Sequence, residues 1–190
     1  MHVKATEKPY HHGDLRHALI EAGIELINEQ GVRYFSLRKV ATRCGVSHAA
    51  PYAHFKDIDE MLAAMSEHVA AKFTNKLNES IYAHEDSLEI ISTLGKAYIT
   101  FFAENPNYFQ FLFYHAGVSI NLDDEYSSDY PPFALFREIA YRTFRKIGLP
   151  PEMHKHMLIA RWALVHGIAA LIANKNIHYS GDLRELLGSC

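Results

Sequence analysis

The chain has 190 residues, 48% of them hydrophobic, enough for one large core or two smaller ones and too many for a disordered tail. Its 19 basic and 22 acidic residues leave a formal net charge of -3, which excludes a uniformly basic nucleic-acid coat but leaves room for a local basic patch. Two cysteines, Cys44 and Cys190, are too few for a disulfide framework and lack metal-ligand spacing, so a reducing, cytoplasmic setting is expected.

The opening segment MHVKATEKPYHHGDL lacks the apolar core of a signal peptide. Asp14 is placed to cap a first helix whose apolar face is Leu15, Leu19, Ala22, Leu26 and Ile27, closing at Gly31. Ser36 caps a second helix through Arg43, with Leu37, Val40 and Ala41 apolar, and Gly45 stands where a left-handed stop is needed. Ser47 is then expected to cap a short third helix despite Pro51. The N–H that proline lacks falls in the first turn, and the carbonyl it crowds would be that of Ser47, at the helix edge. A fourth helix from about Asp57 carries Met61, Leu62, Met65, Val69 and Phe73.

Longer helical patterns follow, at about Ser87 to Glu104, Tyr108 to His115, Pro132 to Lys146 and Glu152 to Asn174, with a short one near Asp182 to Leu187. No segment alternates as a strand does, so the fold class is all-α. GVSINLDDEYSSDYPP, from Gly117 to Pro132, is polar and acidic and reads as a mobile loop. Met157 to Ala173 is apolar enough to suggest a membrane span. It is shorter than the roughly 20 residues a span needs and contains Arg161 and His166, so a buried core helix is the better reading and no membrane partner is expected.

Charge is split along this layout. Met1 to Lys56 holds eight Lys or Arg against five Asp or Glu, and the remainder eleven against seventeen. Between Arg33 and Lys56 the five cations Arg33, Arg38, Lys39, Arg43 and Lys56 have no carboxylate among them. The organisation is a basic helical head, 1-56, and a larger apolar helical region, 57-190. Two short helices joined at Gly45, with small Ala41 before it and Val46 after it, have helix-turn-helix spacing. That spacing also occurs in ordinary helical corners, and the basic stretch tips the balance toward DNA.

The segment SLRKVATRCGVSHAAPYAHFKDIDEML, Ser36 to Leu62, resembles the DNA-binding segment of the tetracycline-repressor (TetR) family of bacterial transcription regulators: the Gly-Val-Ser corner, Tyr52, Phe55 and Lys56 all match. Tyr10 to Gly31 is similar to that family's first helix, and WALVHGIAAL, Trp162 to Leu171, to the Trp-His-Gly signature of one subgroup's C-terminal domain. The resemblance implies a homodimeric repressor reading a palindromic or near-palindromic double-stranded operator, with C-terminal helices that form the dimer interface and hold a small-molecule effector. Carried over by position, Ser36, Tyr52, His54 and Lys56 match phosphate-contacting residues, and His48, Ala49 and Ala50 the base-facing start of the recognition helix. Arg38 and Ser47 join this DNA-binding set. Phe55 fits the core of the corner, Tyr52 either core or phosphate, and His11 and His12 a backbone-contacting arm or a disordered one.

In the second region no phosphate loop, nucleophile elbow or paired catalytic carboxylate occurs, so no enzyme is expected. The close histidine pairs, His11 with His12 and His154 with His156, lack helical ligand spacing and partners, so neither metal nor resident cofactor is expected. Aromatics cluster around Pro106. Phe101, Phe102, Tyr108 and Phe111, with Trp162 and His166 four apart on one helix, are either packed core or the wall of an effector pocket. Leu158, Ala169, Leu171 and Ile172 are candidates for the dimer interface. The rival reading is a helical small-molecule-binding protein or enzyme without a DNA role.

Overall fold

A computed structural model describes residues 12–82, 88–122, 130–174 and 180–181, and among these every regular element is helical. The arm at His11, the helix expected at Asp182 to Leu187, residues 123–129 of the acidic loop and Cys190 lie outside the described residues. Contacts divide the chain into two units, Met1–Met65 and Ser66–Cys190. The division falls inside one helix rather than at Asp57, where that helix was expected to start a new domain.

In the first unit, α1 (His12–Gln30) starts three residues earlier than an Asp14 cap would allow. Its buried side is Leu19, Ile20, Ile24, Leu26 and Ile27, with Leu15 and Ala22 only partly covered. Gly31, at φ 81°, ends it. Helix α2 (Leu37–Arg43) begins as expected: the Ser36 hydroxyl accepts the Lys39 N–H at 3.3 Å. Gly45 then turns the chain at φ 69°, where any Cβ would strain the backbone. Gly23 brings α1 close to the start of the next long helix, since a Cβ there would meet Met61 Cε at 2.9 Å.

The third helix is not an α-helix, which corrects the expectation at Ser47. Ala50 N–H bonds the Ser47 carbonyl at 3.0 Å, Tyr52 that of Ala49 at 3.1 Å and His54 that of Pro51 at 3.0 Å, a run of tight three-residue turns. It settles into a 3₁₀ helix over Ala50–Ala53, and the Ser47 side chain caps nothing. Pro51 stands in the first turn of this short helix, where the N–H it lacks costs least, and its ring is buried.

Helix α3 (Ile58–Ile81) starts in the first unit and continues into the second without an internal Gly or Pro. Asp57 Oδ1 accepts the Glu60 N–H at 2.9 Å, and Glu60 Oε2 accepts the Lys56 N–H at 2.6 Å, a reciprocal pair that satisfies two otherwise orphaned donors.

The second unit holds α4 (Ile90–Glu104), α5 (Pro106–Gln110), a π-helical turn (Phe111–His115), α6 (Pro131–Lys146) and α7 (Pro151–Ala173). Pro106 stops α4 and opens α5. The helix expected from Tyr108 to His115 is interrupted, because Ala116 N–H reaches the Phe111 carbonyl, five residues back, at 2.8 Å. Helix α6 ends where Gly148 takes φ 70° and Leu149 N–H bonds the Phe144 carbonyl at 2.9 Å.

By length and composition α7 could cross a membrane. It packs against α4, α5 and α6, as a core helix does. Leu158 and Ala169 are fully enclosed on that packed side, 1% and 0% exposed, so they are not on an outward face as first expected; Leu171 is, at 41%, and Ile172 is half-buried.

Candidate nucleic-acid interface

The corner built by α2, Gly45 and the 3₁₀ turn sits on a core of Leu37, Val40, Ala41, Pro51 and Phe55. Phe55 is 1% exposed and carries the Arg16 guanidinium 5.2 Å above its ring. Tyr52 is instead 55% exposed, so it is not part of the core of the corner. Arg38, Ser47, His48, Ala49 and Lys56 are exposed, while Ser36, Ala50 and His54 are half-buried. Ser36 uses its oxygen as a cap yet keeps its hydroxyl proton for another acceptor.

The basic stretch is less open than its sequence implies. Arg43 lays both terminal nitrogens on the Glu29 carboxylate, one at 2.7 Å, and its Nε lies 3.4 Å from Glu25 Oε2. These bonds hold the Glu29 carboxyl below its usual range and raise the already high pKa of Arg43. Lys39 is turned back onto the Tyr34 carbonyl at 2.8 Å and Gln30 Oε1 at 3.2 Å. A count along the segment missed both, because the carboxylates and carbonyl come from α1 and the turn after it. Arg33 and Arg38 are exposed, and Lys56, 86% exposed, lies 4.0 Å from Asp57 Oδ2, a weak pair in solvent.

His48 has a contact that sequence reading missed. Its Nε2 lies 3.2 Å from Thr42 Oγ1, one turn along α2 from Arg38. Cys44 is half-buried, its Sγ 3.6 Å from the Ala18 carbonyl, and burial pushes its thiol pKa up. It belongs to the packing between α1 and α2.

In the second unit the six aromatic and histidine candidates are brought together as packed core. Phe101, Phe102, Tyr108, Phe111 and Trp162 are 0–7% exposed. Tyr98 joins them: its ring meets Trp162 edge-on at 5.1 Å and its hydroxyl lies 3.0 Å from His166 Nδ1. Burial drives the Tyr98 hydroxyl well above its ordinary pKa and the His166 imidazole below its own, so a neutral pair is favoured. A cavity of about 500 Å³ lies elsewhere, between α4, α6 and α7, and none of the six lines it. Its walls include Ile91, Phe136, Phe144, Leu149, Leu164 and Val165, with Glu89, Ser92, Thr93, Lys96 and Arg161 adding polar groups. Such a size and mix suit a small ligand. The wall joins positions some fifty to seventy residues apart, which no local pattern exposes.

Residues 19–65 match the model of bacterial regulatory proteins of the tetR family, and residues 91–188 that of a tetracyclin repressor-like C-terminal domain. The description of the second model does not name the Trp-His-Gly subgroup. Among solved structures the chain is similar to a protein of unknown function from Rhodococcus sp. RHA1, with 24% identity and a TM-score of 0.71 over 96% of this chain and 94% of that one. It is also similar to a TetR-family transcriptional regulator from Haemophilus influenzae, with 23% identity and a TM-score of 0.67 over 93% and 92%. FadR from Bacillus subtilis, solved in complex with stearoyl-CoA, is similar at 14% identity with a TM-score of 0.67 over 91% and 94%. At these identities the structural likeness carries the fold.

Proposed function

Because the chain belongs to the tetR family of bacterial regulatory proteins, which bind DNA and are not enzymes, we propose that it is a cytoplasmic homodimeric repressor released from a near-palindromic operator by a small molecule. The observation that carries the reading is the exposed corner: Arg38, His48, Tyr52 and Lys56 stand in solvent on a rigid, Ser36-capped and Gly45-turned scaffold. Here Ser36, Arg38, Ser47, Tyr52, His54 and Lys56 take phosphates and fix register, while His48, Ala49 and Ala50 face base edges. Alanine methyls offer only apolar contact, so direct readout falls to His48.

Duplex binding across a salt series tests this. Affinity falls linearly on a log-log plot, and Lys56→Ala reduces the slope by about one while weakening all sequences alike. No binding to genomic fragments at low salt would overturn the assignment.

The effector belongs in the cavity between α4, α6 and α7. Its apolar walls, with Lys96 and Arg161 against the single carboxylate Glu89, suit a molecule with an apolar body and an anionic end, the chemical character also of the stearoyl-CoA bound by Bacillus subtilis FadR. Binding there must favour the arrangement that does not hold DNA, and operator must weaken the ligand by the same factor. Leu164→Trp fills the cavity. It should keep operator binding while abolishing both the thermal stabilisation and the operator release that medium-chain carboxylates give the wild type. Unchanged release in the filled variant places the effector elsewhere.

A further inference from the structure

Thr42 has one hydroxyl proton and two close partners. Its Oγ1 lies 3.0 Å from the Arg38 carbonyl and 3.2 Å from His48 Nε2. A carbonyl only accepts, so the hydroxyl proton goes to Arg38, the usual back-bond of a helical threonine. Toward His48 the same oxygen can then only accept. Both contacts are made together only when Nε2 carries the hydrogen, and the neutral ring then presents Nδ1 as a bare lone pair. His48 is exposed and its Nε2 is engaged, so Nδ1 is the nitrogen left for DNA.

We propose that Thr42 is a positioning residue for sequence recognition: it fixes the His48 tautomer and ring direction, so that His48 Nδ1 accepts a hydrogen bond from the exocyclic amino group of adenine or cytosine. In the major groove these two bases alone present donors, N6 of adenine and N4 of cytosine. Guanine shows two acceptors, and thymine an acceptor and a methyl. A histidine held in the other tautomer, with Nδ1 protonated, would favour guanine. Without Thr42 the ring turns and both patterns become available.

This inference rests on the DNA-binding assignment above, and one selection separates the two. A randomised duplex pool is bound at pH 8 to the full-length wild type and to the variants Thr42→Val, Thr42→Ser, His48→Ala and Thr42→Val/His48→Ala, each first shown to be folded by circular dichroism. The His48 position is the one whose preference disappears in His48→Ala. There the wild type selects adenine or cytosine about fivefold over guanine and thymine. Thr42→Val loses that preference while keeping its affinity for non-specific duplex and its salt slope, Thr42→Ser retains it, and the double variant loses no more than either single one. Selection of guanine or thymine there, an unchanged preference in Thr42→Val, or a loss in Thr42→Ser would each overturn the positioning role. Failure of the wild type to bind any duplex would instead overturn the DNA assignment and this inference with it.

Discussion

Replacing Ala163 and Gly167 together by glutamate leaves each protomer folded, separates the proposed homodimer and lowers operator affinity by about 100-fold, the avidity that two linked half-site contacts supply. The expectation starts from the composition of α7, which is apolar on nearly every side. Along one face its outward positions are Met153, His156, Ala160, Ala163, Gly167 and Leu171, spaced three or four residues apart as one face of a helix requires. Met153 is 46% exposed and Leu171 41%, and a Cβ added at Gly167 would meet no atom within 4 Å. A lone helix in water gains nothing from such a face. A second copy does, because small residues let two helices approach to about 8 Å while the larger ends pack around them. On a two-fold axis every substitution occurs twice, so the double variant sets four carboxylates in one apolar seam. An uncompensated buried charge costs about 3–5 kcal/mol, whereas the same residues on an exposed protomer surface change stability by about 0.5 kcal/mol or less. Analytical ultracentrifugation and thermal melting read the two effects apart. A variant that remains dimeric would move the interface off this face of α7.

What could be read from the sequence was local chemistry. The Ser36 cap, the Gly45 turn, the stop at Asn105 and Pro106, and the stop at Gly148 each depend on one residue's own backbone or side chain, and all are present. Pro51 is a local feature too, and its ring is buried in the corner. The segment that carries it is a 3₁₀ helix, Ala50–Ala53, rather than the expected α-helix. Longer-range features escaped for a physical reason: they are made by residues far apart in sequence. Arg43 is neutralised by Glu25 and Glu29 from α1. The aromatics near Pro106 pack on Tyr98, and the cavity takes Ile91, Ser92 and Lys96 from α4. Thr42 carried no sequence signal, since its importance depends on the fold returning His48 to α2.

Phe73→Ala should destabilise the second unit by about 3–5 kcal/mol, the usual cost of emptying a fully enclosed phenylalanine site. Phe73 is 0% exposed and carries α3 into the aromatic core. Its ring stacks on Phe101 at 4.9 Å, meets Tyr98 edge-on at 4.9 Å and Phe102 at 4.7 Å. Such pairs add about 0.5–1.5 kcal/mol each beyond the area they bury, which places this site toward the upper end of the range. The void cannot collapse easily, because its walls are themselves locked: Tyr98 is pinned by Trp162 and by the hydrogen bond to His166, and Phe102 by Phe109. The measurement is favoured by composition, since Trp162 is the chain's one tryptophan and is packed against Tyr98, Phe133 and Phe136 in this same unit. Its fluorescence therefore reports the unfolding of the second unit. With a urea slope of about 2 kcal/mol/M, the midpoint should fall by about 2 M. Phe73→Leu, which keeps most of the volume, should fall by well under half as much. The first unit has its own core of Leu19, Ile24, Val40, Phe55 and Met65, so amide exchange protection in α1 and α2 should persist in urea that has already unfolded the tryptophan environment of the variant. Equal midpoints for wild type and Phe73→Ala would mean that the aromatic cluster relaxes around the void and that α3 is held in this unit by other residues.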